Sequence, residues 1–408
     1  MGQSADVIIV GAGVTGLALA LALRQRNVST LLLDSRKGVE SVPRGLTLQP
    51  NGLAALEKLG ALDKVRENGV ETRILEIRDS HGNVLLEADY GLLNHPQNYI
   101  LTTNAAELDL FLRYKAEQSG AQVIWGAKLE ELVRNNGQVQ GVNFTTDNGS
   151  DQATASVVVG ADGAHSMIRD SMGVKVETKK YPDSFITGLA GPVSELQGRA
   201  RQYQDPGVML GVMPASPETT FFFYSVGQRS FDQVKKEGID EVKKELTSLA
   251  PETAQAFANV RAWTRLAYFT PTYTKVERWV DNGVALLGDS AHSFHPHAGQ
   301  GLNLSLQDAL VLAEVIEKAI KAGDVSMKSL LEYQTRQKMY ADVIGMHADY
   351  SARYALSGNW LIKRLNKRAL RKLSKNKELL KETLEIVAGV FEKKPGIIKL
   401  ARIGGLLP

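Results

Sequence analysis

The sequence predicts an α/β chain: a parallel sheet with glycine-rich strand-to-helix junctions, an inserted antiparallel sheet, and a helical C-terminal segment. Three observations predict it. The β-branched run Asp6-Val7-Ile8-Ile9-Val10 opens directly into Gly11-Ala12-Gly13-Val14-Thr15-Gly16 and an Ala/Leu-rich stretch. Two further apolar runs, Val157 to Val159 and Val284 to Leu287, also end in glycine-rich turns. Between these junctions lie stretches that alternate with period two, and from Ser329 onward the spacing is helical.

The first junction is a complete βαβ context. Leu17 to Arg26 reads as the helix, and a second run, Thr30-Leu31-Leu32-Leu33, ends at Asp34. Gly11 allows the tight turn, Gly13 lets backbone approach a pyrophosphate, and Gly16 lets the helix pack close to the strand. The helix N-terminus then faces phosphate charge. Asp34, 23 residues after Gly11, is placed to accept hydrogen bonds from an adenosine ribose. The pattern predicts dinucleotide binding.

The second junction, Gly160-Ala161-Asp162-Gly163-Ala164-His165-Ser166-Met167-Ile168-Arg169, reads by itself as an Asp-Gly turn. The third, Gly288-Asp289-Ser290-Ala291-His292-Ser293-Phe294-His295-Pro296-His297-Ala298-Gly299-Gln300-Gly301-Leu302-Asn303, runs into a helical pattern at Leu306, Ala309, Leu310, Ala313 and Ile316. Gly299-Gln300-Gly301 therefore sits at a helix start, with free N–H groups and the positive dipole end facing outward.

Taken together, GxGxxG, VGADGxxSxxR and GDxAHxxxPxxGQGxN resemble the motifs of the single-component, class A flavoprotein monooxygenases, over about residues 5 to 350. The resemblance implies a Rossmann-like FAD-binding domain of the p-hydroxybenzoate-hydroxylase type, with an antiparallel β-sheet substrate domain inserted. It implies non-covalent FAD, NADH or NADPH as a transient cosubstrate, and hydroxylation of a phenolic, quinone-precursor or quinolone-like ring by O2 through a flavin C4a-hydroperoxide. A prenyl-chain reductase and a non-catalytic prenyl-binding protein share much of this scaffold and remain alternatives. His295 to Leu304 is most similar to ubiquinone-biosynthesis hydroxylases, whereas Arg44 to Asn51 looks more like the salicylate-hydroxylase and zeaxanthin-epoxidase branch.

By the same resemblance, Asp162 and Gly163 form the DG motif that serves FAD and the nicotinamide, and the Asp289 carboxylate accepts from a ribityl hydroxyl. Gly288, Pro296, Gly299, Gln300, Gly301, Leu302 and Asn303 lie along the ribityl chain and ring, and Val14, Thr15, Ser35, Arg44 and Leu129 complete the cofactor contacts. The family's phosphate-binding Arg is replaced by Ala105, leaving Asn104 or Arg44 for that contact. His295, Pro296 and His297 are the flavin-face candidates. His292 is expected to make a structural hydrogen bond. His297 either orients or deprotonates a substrate hydroxyl or stands exposed on the loop. No carboxylate–histidine cluster accompanies these rings, so no metal is expected.

The expected FAD-binding domain is discontinuous (1–69, 100–180 and 280–340), the substrate sheet comprises 70–99 and 181–279, and 341–408 forms the helical segment. Val70 to Glu87 alternates about His81-Gly82-Asn83, 207–213 and 219–225 read as a hairpin, and Trp263 to Thr270 as a strand. Met209, Met213, Phe221, Phe223 and Tyr224 are candidate wall residues.

Composition narrows the chemistry further. The 408 residues contain no cysteine, which removes disulfides, thiolate metal sites, cysteine nucleophiles and cysteinyl flavin. There is no second GxGxxG, and the four Trp are scattered rather than paired, against a halogenase. The N-terminal run lacks a basic region, Asp6 breaks the myristoylation pattern, and no run of about 20 apolar residues occurs, so a cytoplasmic protein is expected. Net charge is +3, but 361–381 carries nine Lys/Arg against one Glu. That segment is expected to be a helix docked on the protein, or a peripheral membrane contact. Nucleic acid is not expected, and the sequence does not fix the oligomer.

Overall fold

The computed structural model describes residues 3–38, 45–205 and 207–396. β1 (Val7–Val10) has all four side chains buried, as a strand covered on both faces requires. Gly11 turns the chain into α1 (Val14–Arg24), and β2 (Thr30–Asp34) returns beside β1. β3 (Gly45–Leu48) and α2 (Pro50–Lys58) lead to a hairpin of β4 (Ile74–Asp79) and β5 (Val84–Asp89). The chain comes back through α3 (Ala105–Gln118), β6 (Gln122–Trp125), β7 (Val157–Gly160) and the short α4 (Met167–Ser171). Five strands follow: β8 (Ser184–Ala190), β9 (Ala200–Asp205), β10 (Val208–Ser216), β11 (Thr219–Gly227) and β12 (Leu266–Phe269). β13 (Val284–Leu286) rejoins the first sheet. α5 (Gly301–Ala322), α6 (Met327–Ala355), α7 (Trp360–Lys375) and α8 (Lys377–Val387) form the helical end, with α6 running unbroken through position 341.

The first sheet has the parallel order β13-β7-β1-β2-β6, edged by the antiparallel pair Val280–Asp281. Its glycine junctions thus leave the carboxyl ends of three adjacent strands. The second sheet has the order β12-β8-β11-β10-β9-β4-β5, antiparallel except where β9 meets β4. Strand parity divides its residues. Ile186, Leu210, Val212, Phe222 and Tyr224 pack beneath the helices Phe231–Glu237 and Ile239–Leu249. Phe185, Met209, Met213, Phe221 and Phe223 point the other way: the Thr47 hydroxyl lies 3.1 Å from the Met213 sulfur, and Phe221 abuts Gly45.

Two expectations change. Tyr224 belongs to the far face, where its hydroxyl donates to Glu245 at 2.9 Å; side chains alternate across a strand, so it cannot share a wall with Phe223. Residues 263–265 form a 3₁₀ turn, and the strand begins only at Leu266.

α7 docks on the second sheet partly through its cations. Lys363 pairs with Asp205 at 2.8 Å and Lys367 with Asp79 at 3.0 Å, so these cations face the protein, while Leu361 and Leu365 are exposed. Asp79 and Asp205 end the neighbouring parallel strands β4 and β9, so the sheet presents two acids side by side to the helix, which also buries Leu370 and Leu373. α8 returns to the core, where the Gln300 side chain donates to the Val387 carbonyl at 2.6 Å and the Asn51 N–H to that of Ala388 at 3.2 Å.

Gly16 tests the first packing contact. A Cβ there would lie 2.0 Å from the Gly11 carbonyl oxygen, which cannot move without opening the turn. Gly16→Ala should destabilise the protein by about 3 kcal/mol, the upper range for overpacking, read as a lowered midpoint in chemical denaturation. Gly13→Ala, which meets no atom within 4 Å, should leave that midpoint unchanged without ligand.

Candidate cofactor and substrate site

The three junctions meet at the carboxyl ends of β1, β7 and β13. The Ala161 N–H donates to Val10 O at 2.8 Å and the Leu287 N–H to Gly160 O at 2.9 Å, while the Ser290 hydroxyl donates to Gly160 O at 2.5 Å. Arg169, buried, ties the second turn to the third through Ala164 O (2.9 Å) and Ser290 O (3.4 Å). Gly11 has φ +107°, and a Cβ there would lie 2.3 Å from the Ala161 carbonyl. Only glycine permits this approach of two turns.

The result is a long cleft with an open backbone floor. Cβ atoms built on Gly13, Gly163 and Gly301 meet nothing within 4 Å. Val14 and Thr15, half-buried, begin α1 beside Gly288, whose φ of +66° again requires glycine. Ser166 caps α4; Asp162, upstream, accepts from the Ile168 N–H at 3.2 Å, and its Oδ1 is buried without a partner. Asp289 is open to solvent yet surrounded by enough protein that desolvation pushes its carboxyl above the usual range. These groups fit an extended dinucleotide: glycine floor, two available carboxylates, and helix N-termini for the phosphates.

Asp34 is more occupied than its spacing suggested. It accepts from the Ala12 N–H (2.8 Å), the Arg36 N–H (2.9 Å) and the Arg36 guanidinium (2.8 and 2.9 Å). Burial would raise its carboxyl, but these donors, Arg36 foremost, hold it below the usual carboxylate range. Arg36 also lies over the Trp125 ring at 5.7 Å, with Arg113 over the same ring at 4.8 Å. Ser35 is exposed beside the acid, and Leu129 is buried against the core. Asn104 caps α3 through the Ala106 N–H at 3.1 Å, so its oxygen is committed to the helix. Arg44 lies outside the described residues.

Gln300 and Asn303 act as braces. The Gln300 amide bonds Asn51 and Val387 O. The Asn303 amide accepts from the Gln49 N–H (2.9 Å) and donates to Thr47 O (3.1 Å) and Gly299 O (2.7 Å). Both residues are fully buried, and the accessible start of α5 is Gly301 and Leu302, half-buried, preceded by Gly299 at φ +62°.

The loop between Ser293 and Gly299 meets the apolar face of the second sheet. His295 is 1% exposed and stands edge-on to Tyr181 (4.7 Å) and Phe185 (5.4 Å). Its Nδ1 accepts the His297 N–H at 3.1 Å, and its Nε2 has no partner. Pro296 is exposed; His297 is half-buried with Nδ1 buried and unpartnered, which removes the surface-loop alternative. Burial lowers His295 to about 4 and His297 to about 3, the latter also by repulsion from His295 and His347. His347 on α6, likewise lowered to about 4 by burial, adds a further buried, unpartnered ring nitrogen, its Nδ1. His292 instead bonds Asp308 at 2.6 Å in the core. Among the described residues no His/Cys/Asp/Glu group is arranged to hold a metal.

Sequence reasoning missed Gln49, Asn51, Tyr181 and His347. Asn51 stands 249 positions from Gln300, and Tyr181 168 positions from Asp349, to which its hydroxyl donates at 3.1 Å. His347 sits in an ordinary helical pattern, so nothing local marks it.

His295 has a direct consequence for pH dependence. The unfolded chain binds a proton near pH 6.5 but the folded ring only near 4. Its stabilising contribution is therefore complete above about pH 6.5 and is lost as pH falls towards 4. Unfolding free energy should drop by about 2 kcal/mol at pH 5 from this ring alone. His295→Asn, which keeps an acceptor for the His297 N–H, should flatten the pH 5–7 slope in denaturant titrations.

A family model described as "FAD binding domain" matches residues 4–345. The chain is 27% identical over 344 residues to 6-methylpretetramide 4-monooxygenase of Streptomyces rimosus, covering 83% of this chain and 81% of that one. It is 29% identical to a ubiquinone hydroxylase of Rhodospirillum rubrum, covering 82% and 78%. Its fold matches p-nitrophenol 4-monooxygenase of Pseudomonas putida with a TM-score of 0.82 at 21% identity, covering 96% and 100%. The glycine cradle and the match over most of its length agree: the chain belongs to the FAD-binding domain family of class A flavoprotein monooxygenases.

Proposed function

We propose that the protein hydroxylates a phenolic or similarly electron-rich aromatic ring, taking electrons from NADH or NADPH and one oxygen atom from O2. The observation that carries this reading is the meeting of an apolar sheet face with neutral, unpartnered imidazoles. Phe185, Met213, Phe221 and Phe223 offer a surface for a flat ring, and His297 and His347 offer acceptors for a hydroxyl on it. The names of the relatives, hydroxylases of aromatic rings, support the same class.

FAD held in the cleft supplies the redox chemistry, accepting electrons from the nicotinamide and activating O2. We assign its adenosine end to Gly11, Gly13, Gly16 and the Asp34–Arg36 pair. Asp162, Gly163 and Asp289 receive the hydroxyls between the phosphates and the ring. The N–H groups of Gly301, Leu302 and Asn303 at the start of α5 stabilise negative charge on the ring end. A substrate hydroxyl donating to Nδ1 of His297 or His347 is fixed in orientation and polarised by the hydrogen bond, which raises electron density on the ring. The apolar wall excludes water from the reacting atoms. The single glycine-rich nucleotide fold supports a nicotinamide that visits and leaves.

Purified protein should release intact FAD on denaturation, and Asp289→Ala should reduce FAD retention. It should oxidise NAD(P)H slowly alone and faster with a phenolic or quinolone-like compound, and isotopically labelled O2 should place one labelled atom in the product. His297→Ala and His347→Ala should each lower kcat/KM by about tenfold, the value of one buried hydrogen bond, at unchanged FAD content. Saturation of an isoprenoid double bond under anaerobic conditions, with no oxygen incorporated in air, would assign a reductase instead.

A further inference from the structure

α7 carries seven Lys/Arg and no acid over Trp360–Lys375, and docking divides them unequally. Lys363 and Lys367 face inward to Asp205 and Asp79, alongside an Asn366–Gln204 hydrogen bond of 3.1 Å and buried Leu370 and Leu373. The opposite arc, about 140° wide at 100° per residue, holds Trp360, Leu361, Arg364, Leu365, Arg368 and Arg371. Trp360 is 71% exposed, Leu361 50% and Leu365 42%. Arg364, Arg368 and Arg371 are exposed and pair with no carboxylate among the described residues. The adjoining helix α6 also exposes Met346 and Tyr350.

We propose that this outward face of α7 is a docking surface for an anionic lipid bilayer. The chemistry selects the partner. A solvated helix gains nothing by exposing Trp360 beside two leucines, whereas an indole with apolar neighbours and a ring of cations suits the headgroup boundary. A second copy of the chain fits poorly, because a two-fold contact places a patch against itself and would oppose arginine to arginine. No helix among the described residues is long and apolar enough to cross a membrane, so the contact is with the surface. The end of α6 joins the two regions: Ala352, Ala355 and Leu356 pack on Phe185 and Met209, and Phe185 touches His295. The face thus lies on the helical arm that borders the substrate wall, where a ring carried on an apolar tail would arrive from the bilayer.

The test is co-sedimentation of the full-length, FAD-loaded protein with phosphatidylcholine vesicles, with and without phosphatidylglycerol. Binding is expected only with the anionic lipid and should weaken with added salt. Each cation near such a surface strengthens binding about fivefold. The triple variant Arg364→Gln/Arg368→Gln/Arg371→Gln should therefore partition about a hundredfold less. Trp360→Ser/Leu361→Ser/Leu365→Ser should also lose binding, and vesicles should protect Trp360 from acrylamide quenching. All six side chains are exposed, so circular dichroism and FAD content should not change; the salt titration of the unmodified protein tests the idea independently of either variant. The proposal is overturned if the unmodified protein stays in the supernatant with anionic vesicles at low salt, or if both variants bind as it does. It is overturned equally if Trp360→Ser/Leu361→Ser/Leu365→Ser dissolves a dimer, or if duplex DNA binds where vesicles do not. None of these readouts depends on turnover, so the hydroxylase reading can fail separately.

Discussion

The site depends on backbone meeting backbone. The turns after β1, β7 and β13 pack so closely that a side chain at Gly11 would strike the Ala161 carbonyl and one at Gly16 the Gly11 carbonyl. Because adjacent parallel strands stand about 4.8 Å apart, three successive turns can share one site only when glycine stands where they touch. Everything functional is hung from this crossing: the Asp289 and Asp162 carboxylates, the start of α5, and the loop that carries His295 and His297. Arg169 and Ser290 lock the second and third turns together, so the cleft is one rigid unit rather than three loops.

The second constraint is parity in the large antiparallel sheet. One face of β10 and β11 is buried under helices, and the other looks towards β3 and the histidine loop. Since successive side chains alternate, Phe222 and Tyr224 pack under the helices while Phe221 and Phe223 face the proposed site. A one-residue slip would exchange the two sets and turn the Tyr224 hydroxyl, now held by Glu245, to that face. The register is thus as decisive for the chemistry as any single residue.

These two constraints differ in how far the sequence revealed them. The glycine junctions were legible because each requirement is local: a turn, a close approach and a helix start all fall within six or so residues. The strands flanking them were legible too, being short, β-branched and buried on both faces. Tyr224 was misplaced against parity, since it follows Phe223 in one strand and must face the other way; parity leaves open only which of the two faces meets the site. The facing of α7 was not legible for a related reason: Asp79 and Asp205, distant in sequence, hold Lys363 and Lys367 against the protein and leave Leu361 and Leu365 exposed. His347 had no local signal, since only the crossing of α6 above the histidine loop brings it there.

Electrostatics completes the picture through what the helices omit. An acid in the first turn normally stabilises a helix by about 0.3–1 kcal/mol through the dipole. α3 and α4 follow that rule with Glu107 and Asp170. α2, α6 and α7 have no first-turn acid, and the same holds for α1 and α5, which begin at the glycine junctions. Their caps, Gly13 and Gln300, also give no side-chain bond to the helix N–H groups. Where the loop must be braced, the chain uses amides: Gln300 and Asn303 hold Asn51, Thr47, Gly299 and the end of α8 without bringing in charge. A carboxylate at either position could accept hydrogen bonds but would neutralise the positive end of α5 and could not donate to Val387 or Thr47. The local stability forgone at these two helix starts leaves their N–H groups available to an anionic ligand, and the amide network restores the rigidity that a capping acid would otherwise have supplied.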